Sequence, residues 1–314
     1  MNQTIFLKDK KIGDKIRFIG KLNSLNKGEN FFNIDLLLKE NFCINIKLKI
    51  ENESLIKEKI YVFDTEYITM KNKNILFCEK YNIIENVLDW EQIYYYYNIF
   101  FKCSSLSFSE IDKRIDFFLS EIKNPILKKI TNNLYQKNKK KFLISPASCK
   151  MHHNYYGGLG FHTCNMLKIS NDYHQIYPFL NKDLLISGII LHDMAKIQEF
   201  DFINKKYNKE GTLIGHLILG NNNIHEEAIL LGYQNKEEIL LLKHLIIAHH
   251  GLLQYGSAKE PQISEALLIW YLDDLDAKLD ALREKIKQTP TNEFTDSLPV
   301  INNKRFYNHN LDSE

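Results

Sequence analysis

The chain has 314 residues, 44% hydrophobic and 25% charged, with a formal net charge of +2. Those proportions exclude wholesale disorder and supply the apolar mass for about two domains of ~150 residues each. No stretch reaches the roughly 18 uncharged apolar residues of a transmembrane helix, and the opening MNQTIFLKDKKIGDK does not read as a secretory signal. Five scattered cysteines (Cys43, Cys78, Cys103, Cys149, Cys164) form no CxxC pair, which argues against a disulfide framework and fits a cytoplasmic location.

The charge is uneven along the chain. Residues 1–150 carry 26 Lys and Arg against 18 Asp and Glu, a balance of +8, whereas 151–314 carry 15 against 21, a balance of −6. A basic half joined to an acidic one fits a polyanion-binding module beside a metal-binding one. Histidine follows the same division: ten of the eleven lie between His152 and His250.

Residues 12–85 read as a small β domain. GDKIRFIGKL, FFNIDLLL, FCINIKLKI, KIYVFDTEYITM and ILFCEKYNII are apolar-rich runs separated by the turn-like NKGEN, KEN and KNKN. Five short strands in this length suit a small barrel, of which the five-stranded OB barrel is one solution. Such barrels grip single-stranded nucleic acid through basic and aromatic side chains, here Lys27, Phe31, Phe32, Lys47, Lys71 and Lys73. Phe31 and Phe32 equally suit the barrel core.

Helical spacing begins near residue 90 and is clear in SEIDKRIDFFLSEI, while Pro125 opens the next helix. From 150 onward nearly every segment reads as helix, including LGFHTCNMLKISNDYHQIY, KDLLISGIILHDMAKIQEF, EGTLIGHLILGNNNIHEEAILLG, KEEILLLKHLIIAHHG and PQISEALLIWYLDDLDAKLDALREKIKQ. Gly157, Gly158, Asn208, Gly232 and Gly251 mark breaks, and the tail from 289, with Pro290 and Pro299, is expected to be irregular. The expected domains are thus 1–88, an OB-like nucleic-acid-binding barrel; 89–150, a helical linker region; 151–288, an all-helical domain; and 289–314, a tail. The fold class is α+β and multidomain.

His162, the pair His192–Asp193, His216, His249 with His250, and Asp273 stand out in the helical half. A His-Asp pair ending the apolar run LLISGIIL would be costly to bury unless paired or bound to a metal. Imidazoles with carboxylates form a ligand list for divalent Mn, Fe, Co, Ni or Zn. Adjacent helical residues point about 100° apart, so His192 and Asp193 bind together only where the backbone hugs an ion or where Asp193 bridges two. Lys196, three residues after Asp193, shares its face and could meet a substrate phosphate.

The order H…HD…H…HH…D resembles the HD-domain metal-dependent phosphohydrolases, on the strength of FH at 161–162, LHDMAK at 191–196 and YLDDLDA at 271–277. HHNYYGGLGFHTCNML (152–167), GIILHDMAKIQEF (188–200), LIGHLILG (213–220), AHHGLLQYGSAKEP (248–261) and RFY (305–307) are similar to the YhaM-type bacterial 3′–5′ exoribonucleases, which place an OB-fold domain before an HD domain. The resemblance implies an all-helical HD bundle with His162, His192, Asp193 and Asp273 as metal ligands, His216 and His249 added for a second ion, and His250 a weaker candidate. It prefers Asp273 over Asp276 as the last ligand. Asp193 and Lys196 become the catalytic pair, and the cofactor two divalent ions, Mn first, with Co or Fe as substitutes. The implied substrate is single-stranded RNA, with single-stranded DNA open, no membrane partner, and homo-oligomer formation open. The same ligands would serve an HD phosphohydrolase of small nucleotides or an RNA-binding protein with a structural metal.

Overall fold

The computed structural model describes residues 7–29, 31–39, 42–49, 55–148, 153–202 and 206–311. Alternating apolar residues in the first part form five strands: β1 (Lys15–Lys27), β2 (Phe31–Leu37), β3 (Cys43–Lys49), β4 (Ile60–Met70) and β5 (Lys73–Ile83). Their order around the barrel is β1-β2-β3-β5-β4, with β4 pairing back to β1. The β3–β5 seam is parallel and consists of the single register pair Lys47↔Phe77, so the barrel is nearly open there, as in OB-like folds. Period-two alternation sends Phe18, Leu22, Ile34, Leu36, Ile44, Ile46, Phe63 and Leu76 inward, where they form a dry core. Between β4 and β5 the predicted KNKN turn closes on Lys71 and Asn72, both with positive φ (47° and 60°), the backbone of a two-residue type I′ hairpin.

The aromatic run after the barrel is helix α1 (Trp90–Phe100), capped by Asp89. The chain then divides into two compact units, Met1–Lys102 and Cys103–Glu314. Of the stretch 89–150, α1 falls in the first unit, whereas α2 (Phe108–Glu121) and α3 (Pro125–Ile144) belong to the second. There Ile111, Ile115, Leu127, Ile130 and Phe142 are core residues. Pro125 sits at the first turn of α3 with Asn124 capping it, as its fixed φ and missing N–H favour.

The second unit continues with α4 (Gly158–Ile176), α5 (Lys182–Leu191), the single turn α6 (Lys196–Glu199), a two-residue ladder β6 (Phe200–Asp201) with β7 (Lys206–Tyr207), α7 (Lys209–Leu213), α8 (His216–Leu230), α9 (Glu237–Ala248) and α10 (Ser264–Gln288). Two segments expected as continuous helices are broken. The run 182–200 turns at His192–Ala195, and 210–232 breaks at Gly215, whose φ of +78° a side-chain-bearing residue would adopt only with strain. At Gly188 on α5 a β-carbon would lie 2.5 Å from Leu245 on α9 and 2.8 Å from Ile269 on α10, so the missing side chain is what lets these three helices close together.

The expectation of an irregular tail is corrected. Strands β8 (Glu293–Phe294) and β9 (Tyr307–Asn308) pair, and a bridge joins Leu298 to Lys304. Thr295 and Leu298 are buried at 0% and 2% exposure, so the tail is anchored by packing rather than trailing from the unit.

Candidate metal centre

Each helix break delivers a histidine. His192 and Asp193 occupy the turn that ends α5, His216 is the first residue of α8, and His249 caps α9. His162 and Asp273 come from within α4 and α10. A turn at 192–195 resolves the 100° problem posed by adjacent helical residues: His192 Nε2 and Asp193 Oδ2 lie 3.4 Å apart.

Every imidazole in the cluster has its Nδ1 engaged. That of His192 donates to the Ile189 carbonyl at 2.7 Å, that of His249 to Ile246 at 2.7 Å, and that of His250 to Tyr255 at 3.1 Å. His162 Nδ1 meets Asp276 at 2.6 Å, and His216 Nδ1 lies 3.0 Å from Glu199. A carbonyl can only accept, so the proton of a neutral ring sits on Nδ1 and the Nε2 lone pair is presented to the interior. These Nε2 atoms converge. His162 and His192 are 3.3 Å apart at Nε2, with Asp273 3.2 Å from His162. His216 and His249 place Nε2 3.4 and 3.5 Å from Asp193 Oδ1.

Among the described residues three ligand-type groups result, His162–His192–Asp193–Asp273, His216–His249–His250 and His153–His162–Asp276, each with its atoms within 4.8 Å of one another; the first two meet at Asp193. Asp193 faces both, with Oδ2 toward the first and Oδ1 toward the second. Asp193 Oδ1, His216 Nε2 and His249 Nε2 are buried without a hydrogen-bond partner. An unmet buried polar atom costs about 1–3 kcal/mol, so three pointing together are a poor arrangement for stability alone. The donor set, imidazole with carboxylate, fits a divalent cation.

Electrostatics favour the same form. Burial raises the Asp193 pKa, but the Lys196 ammonium, His192 and His249 together outweigh it and hold the carboxyl well below its usual range; Lys196 Nζ stands 2.6 Å from Oδ2. Burial likewise disfavours a charged His162, yet Asp273 and Asp276 outweigh it and hold its pKa up at about 10. A cation at that nitrogen is therefore favoured, be it proton or metal. Burial lowers the pKa of His249, and that of His250 to about 3, keeping both rings neutral as ligands must be.

All the residues predicted for this site are brought together, with Lys196 in contact. Two partners escaped the sequence reading or were left secondary in it. Glu199 lies six residues beyond Asp193: one carboxylate oxygen is 3.0 Å from His216 Nδ1, and the other accepts from the His216 backbone N–H at 3.3 Å. Asp276 bridges His162 and His153 at 2.6 and 2.7 Å and takes the amide of Asn165 at 3.0 Å, a carboxylate that fixes a ligand ring. His153 continues the chain to the Tyr155 hydroxyl at 2.8 Å, and its own N–H reaches Asp280 at 2.6 Å. The adjacent His152 lies outside the described residues.

A cavity of about 460 Å³ opens beside the cluster, lined by Lys196, His250, Asp273, Tyr255, Trp270 and Lys278 together with Pro299, Val300 and Asn302 of the tail. Trp270 is seated on Gly251, where a β-carbon would fall 1.9 Å from the indole and where φ is +76°.

The barrel supplies a second candidate surface. A groove of about 310 Å³ is lined by Phe31, Asn33, Lys47, Lys71 and Lys73, with Glu29 also on its wall. Phe31 packs edge-on against Phe77 at 6.0 Å. Four of the six residues expected on a nucleic-acid face are thus gathered. Phe32 is not one of them: strand alternation turns it into the core at 6% exposure, which corrects its assignment to the surface. Lys27 is exposed at the end of β1 but does not line the groove.

The helical unit contains an HD domain: the family model described as "HD domain" matches residues 159–278. The chain is 36% identical over 211 residues to the 3′-5′ exoribonuclease YhaM of Shouchella clausii, and 34% identical over 209 residues to that of Bacillus licheniformis. The chain is thus similar to the YhaM-type exoribonucleases, and its helical unit carries the HD-domain pattern. The alignments cover 67% and 66% of this chain and 66% of each relative, just under two thirds of the relatives' length. Among solved structures, a chain of a replication protein A heterotrimer bound to ssDNA matches 29% of this chain and 70% of its own at 8% identity, with a TM-score of 0.23, too low to carry an argument.

Proposed function

We propose that the protein is a metal-dependent 3′–5′ exoribonuclease that releases nucleoside 5′-monophosphates from single-stranded RNA. The observation that carries this reading is the convergence of Asp193 Oδ1, His216 Nε2 and His249 Nε2, buried and unpartnered, beside the group formed by His162, His192 and Asp273. In this reading His162, His192, Asp193 and Asp273 would hold one divalent ion, and His216 and His249, with His250, would hold a second beside Asp193. Mn is the proposed ion, with Co or Fe as substitutes. Bound there, such ions supply Lewis acidity and bring the pKa of a bound water toward neutrality.

The protein's own groups do the rest. Lys196, charged and beside Asp193, offers its ammonium to the non-bridging oxygens of the scissile phosphate from the cavity wall. Hydrolysis forms a bond from the water oxygen to phosphorus and breaks the bond from phosphorus to the 3′ oxygen of the preceding nucleotide, which leaves as a hydroxyl. Asp276 and Glu199 keep His162 and His216 in register by holding Nδ1. The barrel groove, with Phe31 for a base and Lys47, Lys71 and Lys73 for phosphates, binds the strand. The exoribonuclease activity for which both relatives are named supports RNA as the polymer.

A time course on 5′-labelled single-stranded RNA tests the reading, with protein stripped by EDTA and then given Mn²⁺. A ladder shortening from the 3′ end, absent without metal, is expected. Intact RNA alongside turnover of a small nucleotide would transfer the assignment to a small-nucleotide phosphohydrolase.

A further inference from the structure

We infer that the tail turn Pro299–Asn302 is the specificity wall of the helical unit's site, closing its cavity so that a strand enters only by a free end. The inference rests on the exoribonuclease reading and adds what makes the cleavage exonucleolytic. Pro299, Val300 and Asn302 line the same cavity as Lys196, His250 and Asp273, so the tail and the metal cluster share one chamber. At about 460 Å³ this chamber has the size of a small-ligand pocket.

The wall is built to hold its shape. The Asn303 N–H and the Leu298 N–H bond to Leu298 and Lys304 carbonyls at 2.9 and 3.0 Å, and the Lys304 N–H returns to Ile301 at 3.0 Å. Asn302 and Asn303 both turn the backbone through the left-handed region, at φ 52° and 58°. Behind the turn, Arg305 Nε donates to the Thr295 carbonyl at 2.8 Å, and the Asn308 amide to Thr289 at 2.8 Å. Leu298 and Thr295 anchor this frame in the unit's interior. A self-bonded turn fixed at both sides stays against the chamber when a strand arrives, and an unbroken strand would have to pass through it.

The test uses the full chain with Mn²⁺ and two single-stranded RNAs of one sequence, linear and covalently closed. The wild type is expected to degrade the linear form and leave the circle intact. The triple variant Pro299→Gly/Val300→Gly/Asn302→Gly keeps the Leu298 and Thr295 anchors and should cut the circle at least about tenfold faster than the wild type while still consuming linear RNA. A variant that consumes only linear RNA overturns the inference, as does a wild type that cuts the circle. A wild type inert on both RNAs defeats instead the exoribonuclease reading beneath it. Should the triple variant lose its cooperative thermal transition, Val300→Trp decides the matter. Narrowing the chamber should raise KM for linear RNA about fivefold with kcat nearly constant, and an unchanged KM overturns the inference.

Discussion

Arg17 and Asp64 pair at 2.6 Å on the barrel with side chains 68% and 36% exposed, while Lys196 and Asp193 pair at the same distance in the helical unit with side chains 10% and 2% exposed. The first pair is solvated and screened, and contributes little. The second has been taken out of water at a desolvation cost its mutual attraction only partly offsets. The barrel keeps its interior apolar and its charges outside. The helical unit buries Asp193, His162, His192 and His249 around one point and leaves lone pairs unmet there. Such a cluster in one unit and not in the other fits a divalent cation held in the helical unit. The two units should therefore respond differently to metal, mutation and salt.

The largest expected effect is that of Asp193→Asn. The substitution removes the carboxylate shared by both ligand groups, and RNA turnover should fall by about 10³-fold, the upper range for one preorganised electrostatic group. RNA affinity measured in EDTA should be unchanged if the barrel does the binding. Full turnover in this variant would break the contrast altogether.

Metal itself should sharpen it. Adding Mn²⁺ to EDTA-stripped protein at 100 times Kd should stabilise the native state by about 2.7 kcal/mol, by mass action alone. Hydrogen exchange would then slow in α4, α5, α8, α9 and α10 and stay constant in β1–β5. Equal slowing in the barrel strands would contradict the assignment of the metal to the helical unit.

Asp276→Asn tests the orienting contact. Loss of such a carboxylate partner typically costs 10–100-fold, roughly, in metal affinity. A Mn²⁺ titration followed by electron paramagnetic resonance would show the weakening without recourse to turnover. Unaltered affinity would mean that His162 is held by α4 packing alone.

The smallest effect belongs to the barrel. Lys71→Ala/Lys73→Ala should lower the slope of log affinity against log salt by about 1.4, from ~0.7 per phosphate contact on a single strand. Hydrolysis of bis-p-nitrophenyl phosphate, which needs no barrel, should be unaffected. A slope that does not move would remove the groove from the RNA path.

The legibility of the two units also differed. Strand alternation around Phe31–Leu37 and Cys43–Lys49 is a local signal, and so is the helical spacing of Ile111, Ile115 and Leu119; both kinds of element form where their periodicity indicates. The same period assigns Phe32 to the core once the strand's phase is known, but phase depends on the neighbours in the barrel. The breaks at His192–Ala195 and Gly215 were hidden because an apolar run and a single glycine do not say where a helix must stop. The tail's order was hidden as well, since the short run Leu298–Ile301 is too brief for a periodic signal, and that Leu298 is a core residue is decided by the fold.

By itself, the sequence determined which chemistry was on offer: imidazoles, two carboxylates and a lysine, in order along helices whose patterns are local. Tertiary structure decided which atoms meet. His162 and Asp276 are 114 positions apart, as far as His153 and Asp276 nearly are, and only the packing of α4 on α10 brings their side chains to hydrogen-bonding distance. That packing selects the ring nitrogen each histidine presents, gives Asp193 its two faces and sets Val300 beside the cavity. Such choices follow from burial and from long-range contacts, which a one-dimensional pattern does not encode.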